Sequence, residues 1–295
     1  MFSKSGKFEL GLGFGPSFFL GDLGGNQGKG AAFIKDINVK LTQIDKRVYL
    51  VWYPSEWVGV RLGANYTVVM ADDAQIKNFG DAEEDRRFRN LSFKSSVAEG
   101  YVAAELYPFT FLDRKEGLAG KFKPYVVAGI GFFKFNPKAK ANNGEWIYLH
   151  PLRLEGQGFS EYPNSKPYSL IQMEIPLGFG FKYFLNDNFY AGTEMLYRKT
   201  FTDYVDDVST GYINPAIFDN HLSANDALLA KQLYYRGTYP AVLANPSTLQ
   251  SGYIRGNPKN NDAFFSFIVR FGFRLNGRQT TWYKIKHQNR CPNKI

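Results

Sequence analysis

Apolar and polar residues alternate one for one through most of this chain. The clearest case lies within 167–209, where Ile171, Met173, Ile175, Leu177, Phe179, Phe181 and Tyr183 are apolar or aromatic. The positions between them are Gln172, Glu174, Pro176, Gly178, Gly180 and Lys182. A sustained period of two predicts a β-strand, because successive side chains point to opposite faces. Residues 185–188 (LNDN) then form a polar turn of the Asn/Asp kind. A second strand follows, with Phe189, Ala191, Met195 and Tyr197 on one face and Gly192, Glu194 and Arg198 on the other.

The polar face is not the Lys/Ser/Thr mixture of a soluble surface. It consists of glycines with isolated carboxylates and cationic groups, which suits the crowded interior of a small barrel. The long apolar face suits lipid outside it. The hairpin therefore reads as two neighbouring strands of a transmembrane β-barrel.

The same pattern recurs along the chain. Over 7–20, Phe8, Leu10, Leu12 and Phe14 alternate with Glu9, Gly11, Gly13 and Gly15. The glycines there resemble a phosphate loop, but such a loop needs a helix after it, and 17–20 (SFFL) continues the strand. A Gly-rich loop at 21–46 leads to a second strand at 47–53, whose alternation is the least clear. The third runs from Val58, with Val60, Leu62 and Ala64 opposite Gly59, Arg61 and Gly63. After a charged loop at 71–90, a fourth strand spans 91–109, with Glu99, Tyr101 and Glu105 on its inner face. The fifth carries Val126, Ala128, Ile130 and Phe132 outward and Tyr125, Gly129 and Gly131 inward. Loops at 137–166 and 202–260 flank the first-described hairpin, and 219–232 within the second is a candidate short helix. A last strand at 262–275 alternates Phe265, Phe267, Val269, Phe271 and Phe273 with Ser266, Ile268, Arg270, Gly272 and Arg274.

These segments predict an all-β fold: an eight-stranded antiparallel transmembrane outer-membrane β-barrel over 7–275, with a C-terminal tail at 276–295. Turns after strands two, four and six are short, and connections after strands one, three, five and seven are long. That matches the outer-membrane pattern of short periplasmic turns and long external loops, and it predicts both termini in the periplasm.

Composition agrees. Aromatic residues make up 17% of the chain, with Phe 27 and Tyr 19, as expected of strands that meet hydrocarbon and its interfaces. No apolar run reaches the ~18 residues of a membrane-spanning helix. Residues 1–7 carry no apolar signal segment, and with a strand beginning at Phe8 the numbering reads as that of a mature chain. The single cysteine, Cys291, excludes an internal disulfide framework.

Ten inward positions are charged: Glu9, Glu99, Glu105, Glu174 and Glu194 against Arg61, Lys182, Arg198, Arg270 and Arg274. An eight-stranded barrel has an interior only wide enough to be filled by side chains. The ten are therefore expected to pair across the lumen as a plug, since unpaired buried charge is costly. No catalytic or cofactor-binding set emerges. His150, His221 and His287 are scattered over two loops and the tail. Asp203, Asp206 and Asp207 form a loop cluster that suits either Ca²⁺ or, more ordinarily for loop carboxylates, solvent or nearby cations.

The tail, NGRQTTWYKIKHQNRCPNKI, holds five bases and no acid, a large part of the chain's net charge of +9. It reads either as a basic extension or as a strap for a periplasmic partner. In the second reading Trp282 and Tyr283 anchor, Lys284, Lys286 and Arg290 orient, and Cys291 forms an intermolecular disulfide. Nucleic acid is not an expected partner outside the cell.

Several stretches carry a resemblance: 8–22 (FELGLGFGPSFFLGD), 36–39 (DINV), 53–66, 124–138 (PYVVAGIGFFKFNPK), 151–158 (PLRLEGQG), 176–182 and, most specifically, 198–210 (RKTFTDYVDDVST). In these the chain resembles the PorG family of small outer-membrane barrels of the type IX secretion system. The resemblance implies a non-enzymatic scaffold that holds a periplasmic ring of PorK lipoprotein and PorN against the outer membrane. Asp203, Tyr204, Asp206 and Asp207 belong to it without an implied role. Two other classes stay open: a lipid-modifying barrel enzyme, which needs His150 or His221 beside a nucleophile or carboxylate, and an adhesin using the loops at 137–166 and 202–260.

Overall fold

In the computed structural model, residues 8–24, 41–55, 57–76, 88–109, 121–186, 188–237 and 254–275 are described. Nine strands form: β1 (Phe8–Leu20), β2 (Gln43–Trp52), β3 (Val58–Asp72), β4 (Ser92–Leu106), β5 (Phe122–Lys140), β6 (Trp146–Tyr148), β7 (Ile171–Phe184), β8 (Phe189–Thr200) and β9 (Ala263–Leu275). Eight of them pair antiparallel around a ring, β1-β2-β3-β4-β5-β7-β8-β9, and β9 returns to β1 with Phe8 opposite Leu275. The ring of eight strands is closed, which removes along it the unpaired backbone groups that lipid cannot solvate.

The alternation seen in the sequence becomes an inside and an outside. On β1, Glu9, Gly11 and Gly13 are buried, while Phe8, Leu10, Leu12 and Phe14 are exposed. The same holds for Leu62 on β3, Ile130 and Phe132 on β5, Phe179 on β7 and Phe271 on β9, all large apolar side chains left uncovered. An exposed apolar belt on every side of a closed barrel is the surface that hydrocarbon covers.

Inward tyrosines and glycines interlock. Tyr49 lies opposite Gly11, Tyr101 opposite Gly63, Tyr125 opposite Gly180 and Tyr190 opposite Gly272. In each pair, a Cβ on the glycine would run into the facing ring. The glycines thus make room for flat aromatic rings laid against the barrel wall.

Two boundaries differ from expectation. β2 begins at Gln43, several residues before the predicted start at Arg47, and so adds Asp45 to the inward face that Arg47 also occupies. β5 runs on to Lys140, beyond the first residue of β7, and β6 takes up its free edge through Lys138↔Tyr148 and Lys140↔Trp146. The candidate helix in the last loop is present as two pieces, α1 (Phe218–His221) and α2 (Ala224–Tyr234). Ser223 caps α2 by accepting from the Asp226 amide, a usual N-terminal solution for orphan donors.

The short turns lie at one end of the barrel. Between β7 and β8, Asn186 Oδ1 accepts from the amides of Asn188 at 2.9 Å and Phe189 at 2.8 Å. At the other end the described parts of the long connections pack into a cap. Its own apolar core joins Leu149, Leu152, Leu154 and Phe159 to Phe218, Ala227, Ala230 and Leu233 of the two helices. The tail at 276–295 lies outside the described residues.

Candidate functional site

The lumen is filled in layers. Nearest the short turns, Lys182 Nζ lies 2.8 Å from Glu9, 2.7 Å from the Tyr53 hydroxyl and 3.0 Å from Glu105. Arg274 reaches the other oxygen of Glu9 at 3.2 Å. Glu194 occupies the centre. Arg61 grips it with two nitrogens at 3.0 and 2.6 Å, Arg270 adds a contact at 2.8 Å, and Arg47 a further ion pair. The Tyr125 hydroxyl also donates to Glu194, at 2.7 Å. Three guanidiniums on one carboxylate are tolerable because Glu105 is shared by Arg61 and Arg270 from the other side.

Toward the long loops, Arg198 Nη2 lies 2.7 Å from Asp45 and its Nε 3.2 Å from Glu99. These groups are buried, so each depends on its partners rather than on water. The structure therefore brings nine of the ten expected lumen charges into ion pairs. Glu174 is the correction: it is fully buried, yet neither carboxylate oxygen has a hydrogen-bond partner. Its neighbour Arg198 is already held by Asp45 and Glu99. Asp45 joins the set because β2 starts early enough to include it, and Arg47, the first residue of the predicted strand, joins it on the same inward face. The balance stays even, six acids against six bases.

Above the charges an apolar plug closes the mouth. Phe93, Val97, Phe133, Phe135 and Phe264 of the strands meet Val205 and Val208 from the segment after β8. The segment 202–209 after β8 is thus not a surface loop but supplies the stopper of the barrel through Val205 and Val208.

Around that stopper the cap buries carboxylates. Asp206 accepts from the amides of Leu23 at 3.2 Å and Val208 at 2.9 Å, and Asp207 from the Tyr168 hydroxyl at 2.6 Å. Asp262 accepts from the Val205 amide at 2.8 Å with one oxygen while the other has no partner. Both oxygens of Asp203 lack a hydrogen-bond partner. Burial, reinforced by Asp22, pushes the Asp203 carboxyl up to about 8; burial pushes Asp207 up to about 7. Asp206 and Asp262 are likewise raised well above the usual range, by burial and then by neighbouring aspartates. These loop acids are therefore buried rather than solvated, while Arg89 and Arg255 act as nearby cations on Asp206 and Asp207. Among the described residues no group of three acids, histidines or cysteines is placed to hold a metal ion.

Two arginines tie the loops together. Arg89 spans Asp73, the Asp22 carbonyl and the Arg255 carbonyl, at 2.8, 2.7 and 2.6 Å. Arg255 pairs with Glu155 at 2.9 Å, and Glu155 accepts from the amides of Ser209 and Thr210. These clamps were not legible in the sequence, since the first joins residues from three separate connections and the second from two.

The histidines occupy ordinary positions. His150 Nε2 meets the Tyr168 carbonyl at 3.0 Å. His221 Nε2 lies 2.8 Å from Glu161, and Ser160 donates to the same Glu161 oxygen at 2.9 Å. The carboxylate thus stands between hydroxyl and imidazole, the reverse of the order in which a histidine activates a serine. His287, Trp282, Tyr283, Lys284, Lys286, Arg290 and Cys291 lie outside the described residues.

A closed eight-stranded antiparallel barrel with an apolar outer belt and an ionic interior is a small β-barrel of the outer-membrane type. No protein-family model matches the chain, and no curated protein matches it in sequence. Among solved structures, Ail, the attachment invasion locus protein of Yersinia pestis, aligns over 91% of this chain and 98% of its own, at 10% identity and a TM-score of 0.37. Neisserial surface protein A aligns over 92% and 99%, at 6% identity and 0.40. The outer membrane protein OprG of Pseudomonas aeruginosa aligns over 91% and 96%, at 12% identity and 0.37. Likeness this distant carries no role from those proteins to this chain, and the barrel rests on its own strand pairing.

Proposed function

We propose that this protein is a non-enzymatic outer-membrane scaffold of a type IX secretion system, similar to PorG. In this reading its short turns and basic tail face the periplasm and hold a ring of PorK- and PorN-like proteins. One observation carries the reading: the lumen is filled by paired charges beneath an apolar stopper. A barrel without a path through it acts by what it holds, not by what it passes. The choice of partner comes from the sequence resemblance, whose most specific stretch, 198–210, runs from the end of β8 into the segment that supplies Val205 and Val208 to the stopper. An enzymatic role draws no support from the grouping of Ser160, Glu161 and His221, because the imidazole does not contact the hydroxyl.

The test is co-purification from native membranes of the wild type, a Cys291→Ser variant and a chain truncated after Leu275, run under reducing and non-reducing conditions. Periplasmic proteins that accompany the wild type and are lost on truncation support the scaffold. A reducible higher band that disappears with Cys291→Ser adds the covalent latch. A wild type that purifies alone, or partners that survive truncation and depend instead on the loops at 137–166 and 202–260, would overturn the reading in favour of a surface receptor.

A further inference from the structure

The outer face of β5 changes character along its length. Ala128, Ile130 and Phe132 belong to the apolar belt, and the next outward positions are Lys134, Asn136, Lys138 and Lys140. On β4 the matching outward run passes from Val102 through Ala98 to Lys94. The register sets Lys94 directly opposite Lys138 and Lys134 opposite Ala98. Like charges placed opposite one another destabilise a strand pair. None of these four lysines has an ion pair among the described residues.

Aromatic rings complete the wall. β6 sets Tyr148 beside Lys138 and Trp146 beside Lys140. Lys94 Nζ lies 5.4 Å from the Trp146 ring centre and Lys138 Nζ 5.6 Å from that of Tyr148. Both rings are exposed. The acids at the margins are engaged elsewhere: Glu145 with Asn143 at 2.8 Å, and Asp72 with the Ala74 amide and Gln75. The other outward lysines at this end stand singly among uncharged neighbours, Lys46 between Phe14 and Tyr66 and Lys199 between Ile175 and Ala263.

We propose that the β4–β5–β6 wall binds the phosphate of an anionic lipid in the adjoining leaflet. The acyl chains lie along Ile130 and Phe132, where the belt is already covered by hydrocarbon. The phosphate sits between Lys94 and Lys138, relieving their repulsion, with Lys134 below it and Trp146 and Tyr148 at headgroup level. Continuity with the apolar belt selects a lipid over a soluble anion. The inference does not depend on the scaffold reading.

The experiment uses the full chain in neutral detergent, titrated with lipid A bearing its phosphates and with lipid A from which they have been removed, and read by native mass spectrometry. A Lys94→Ser/Lys138→Ser double variant is compared with Lys46→Ser/Lys199→Ser, and a heat-modifiable shift on electrophoresis confirms that each barrel is folded. The expected result is selective retention of the phosphorylated lipid, weakened about tenfold or more in the first variant and unchanged in the second. Equal retention of both lipids, an equal loss in the second variant, or binding of inorganic phosphate as tight as that of the lipid would overturn it.

Discussion

Arg198 on β8 and Asp45 on β2 meet across the barrel at 2.7 Å, although neither strand is the other's neighbour. Both side chains are fully buried, so the pair replaces the water that each charge has lost. Truncating Asp45 to Ala leaves Arg198 with Glu99 as its remaining ion-pair partner, beside neutral hydrogen bonds to Ser266 and the Leu196 carbonyl. The expected cost is about 3–5 kcal/mol, the usual penalty for breaking a buried pair. Urea unfolding in lipid vesicles measures it. The double variant Asp45→Ala/Arg198→Ala should cost less than the sum of the two single changes, because the charges are coupled.

Glu174 and Glu194 are both buried glutamates of the lumen with opposite prospects. Glu194 takes contacts from Arg47, Arg61 and Arg270, whereas Glu174 takes no hydrogen bond at all. Replacement by Gln keeps the shape and removes the charge. Glu194→Gln should lower unfolding stability by several kcal/mol, on the order of a broken buried pair. Glu174→Gln should leave it unchanged or raise it. A larger loss from Glu174→Gln than from Glu194→Gln in the same unfolding series would contradict this layout.

The tyrosine-over-glycine pairs give a third expectation. A Cβ on Gly63 would collide with the Tyr101 ring, and one on Gly272 with that of Tyr190. Gly63→Ala and Gly272→Ala should each destabilise the barrel by about 1–3 kcal/mol through overpacking. Gly100, whose added Cβ would meet nothing within 4 Å, is the control. Its change to Ala should be close to neutral in the same assay.

The cap should loosen as pH rises. Asp203 is pushed up to about 8 and Asp207 to about 7, both by burial, from ordinary aspartate values near 4. The folded cap therefore holds protons that the opened cap releases, and stability falls with pH wherever the folded state is the more protonated. The contribution is complete below about pH 4, declines through neutrality and levels off above about 8. Hydrogen exchange at the Val205 and Val208 amides, corrected for intrinsic rate, reports this opening. Asp203→Asn should flatten the profile, and a cap that tightens from pH 5 to 8 would reverse the assignment.

Much of the barrel could be read from the chain because a two-residue period survives any tertiary detail. Ile171 to Tyr183 alternate visibly, and so do Phe8 to Gly15. β2 was harder for a physical reason. Asp45 faces the lumen at the end of a Gly-rich loop, so a charged residue that looks like loop belongs to the strand. β6 is only three residues long and owes its existence to the free edge of β5, which no local pattern announces. The cap was illegible for a different reason. Glu155, Ser209, Thr210 and Arg255 are adjacent only once the loops are folded against one another.

The ionic lumen also bears on how the barrel is built. Glu9 on the first strand waits for Lys182, 173 residues later, and for Arg274, 265 residues later. Arg47 and Arg61 on β2 and β3 likewise wait for Glu194 on β8. A partly assembled sheet therefore presents unmatched charge along its inner face, which hydrocarbon would oppose. The two acids that β4 adds, Glu99 and Glu105, are balanced only when β9 brings Arg270 and Arg274 to β1. A sheet short of the last strand lacks Arg270 and Arg274 and so faces its own interior with six acids against four bases.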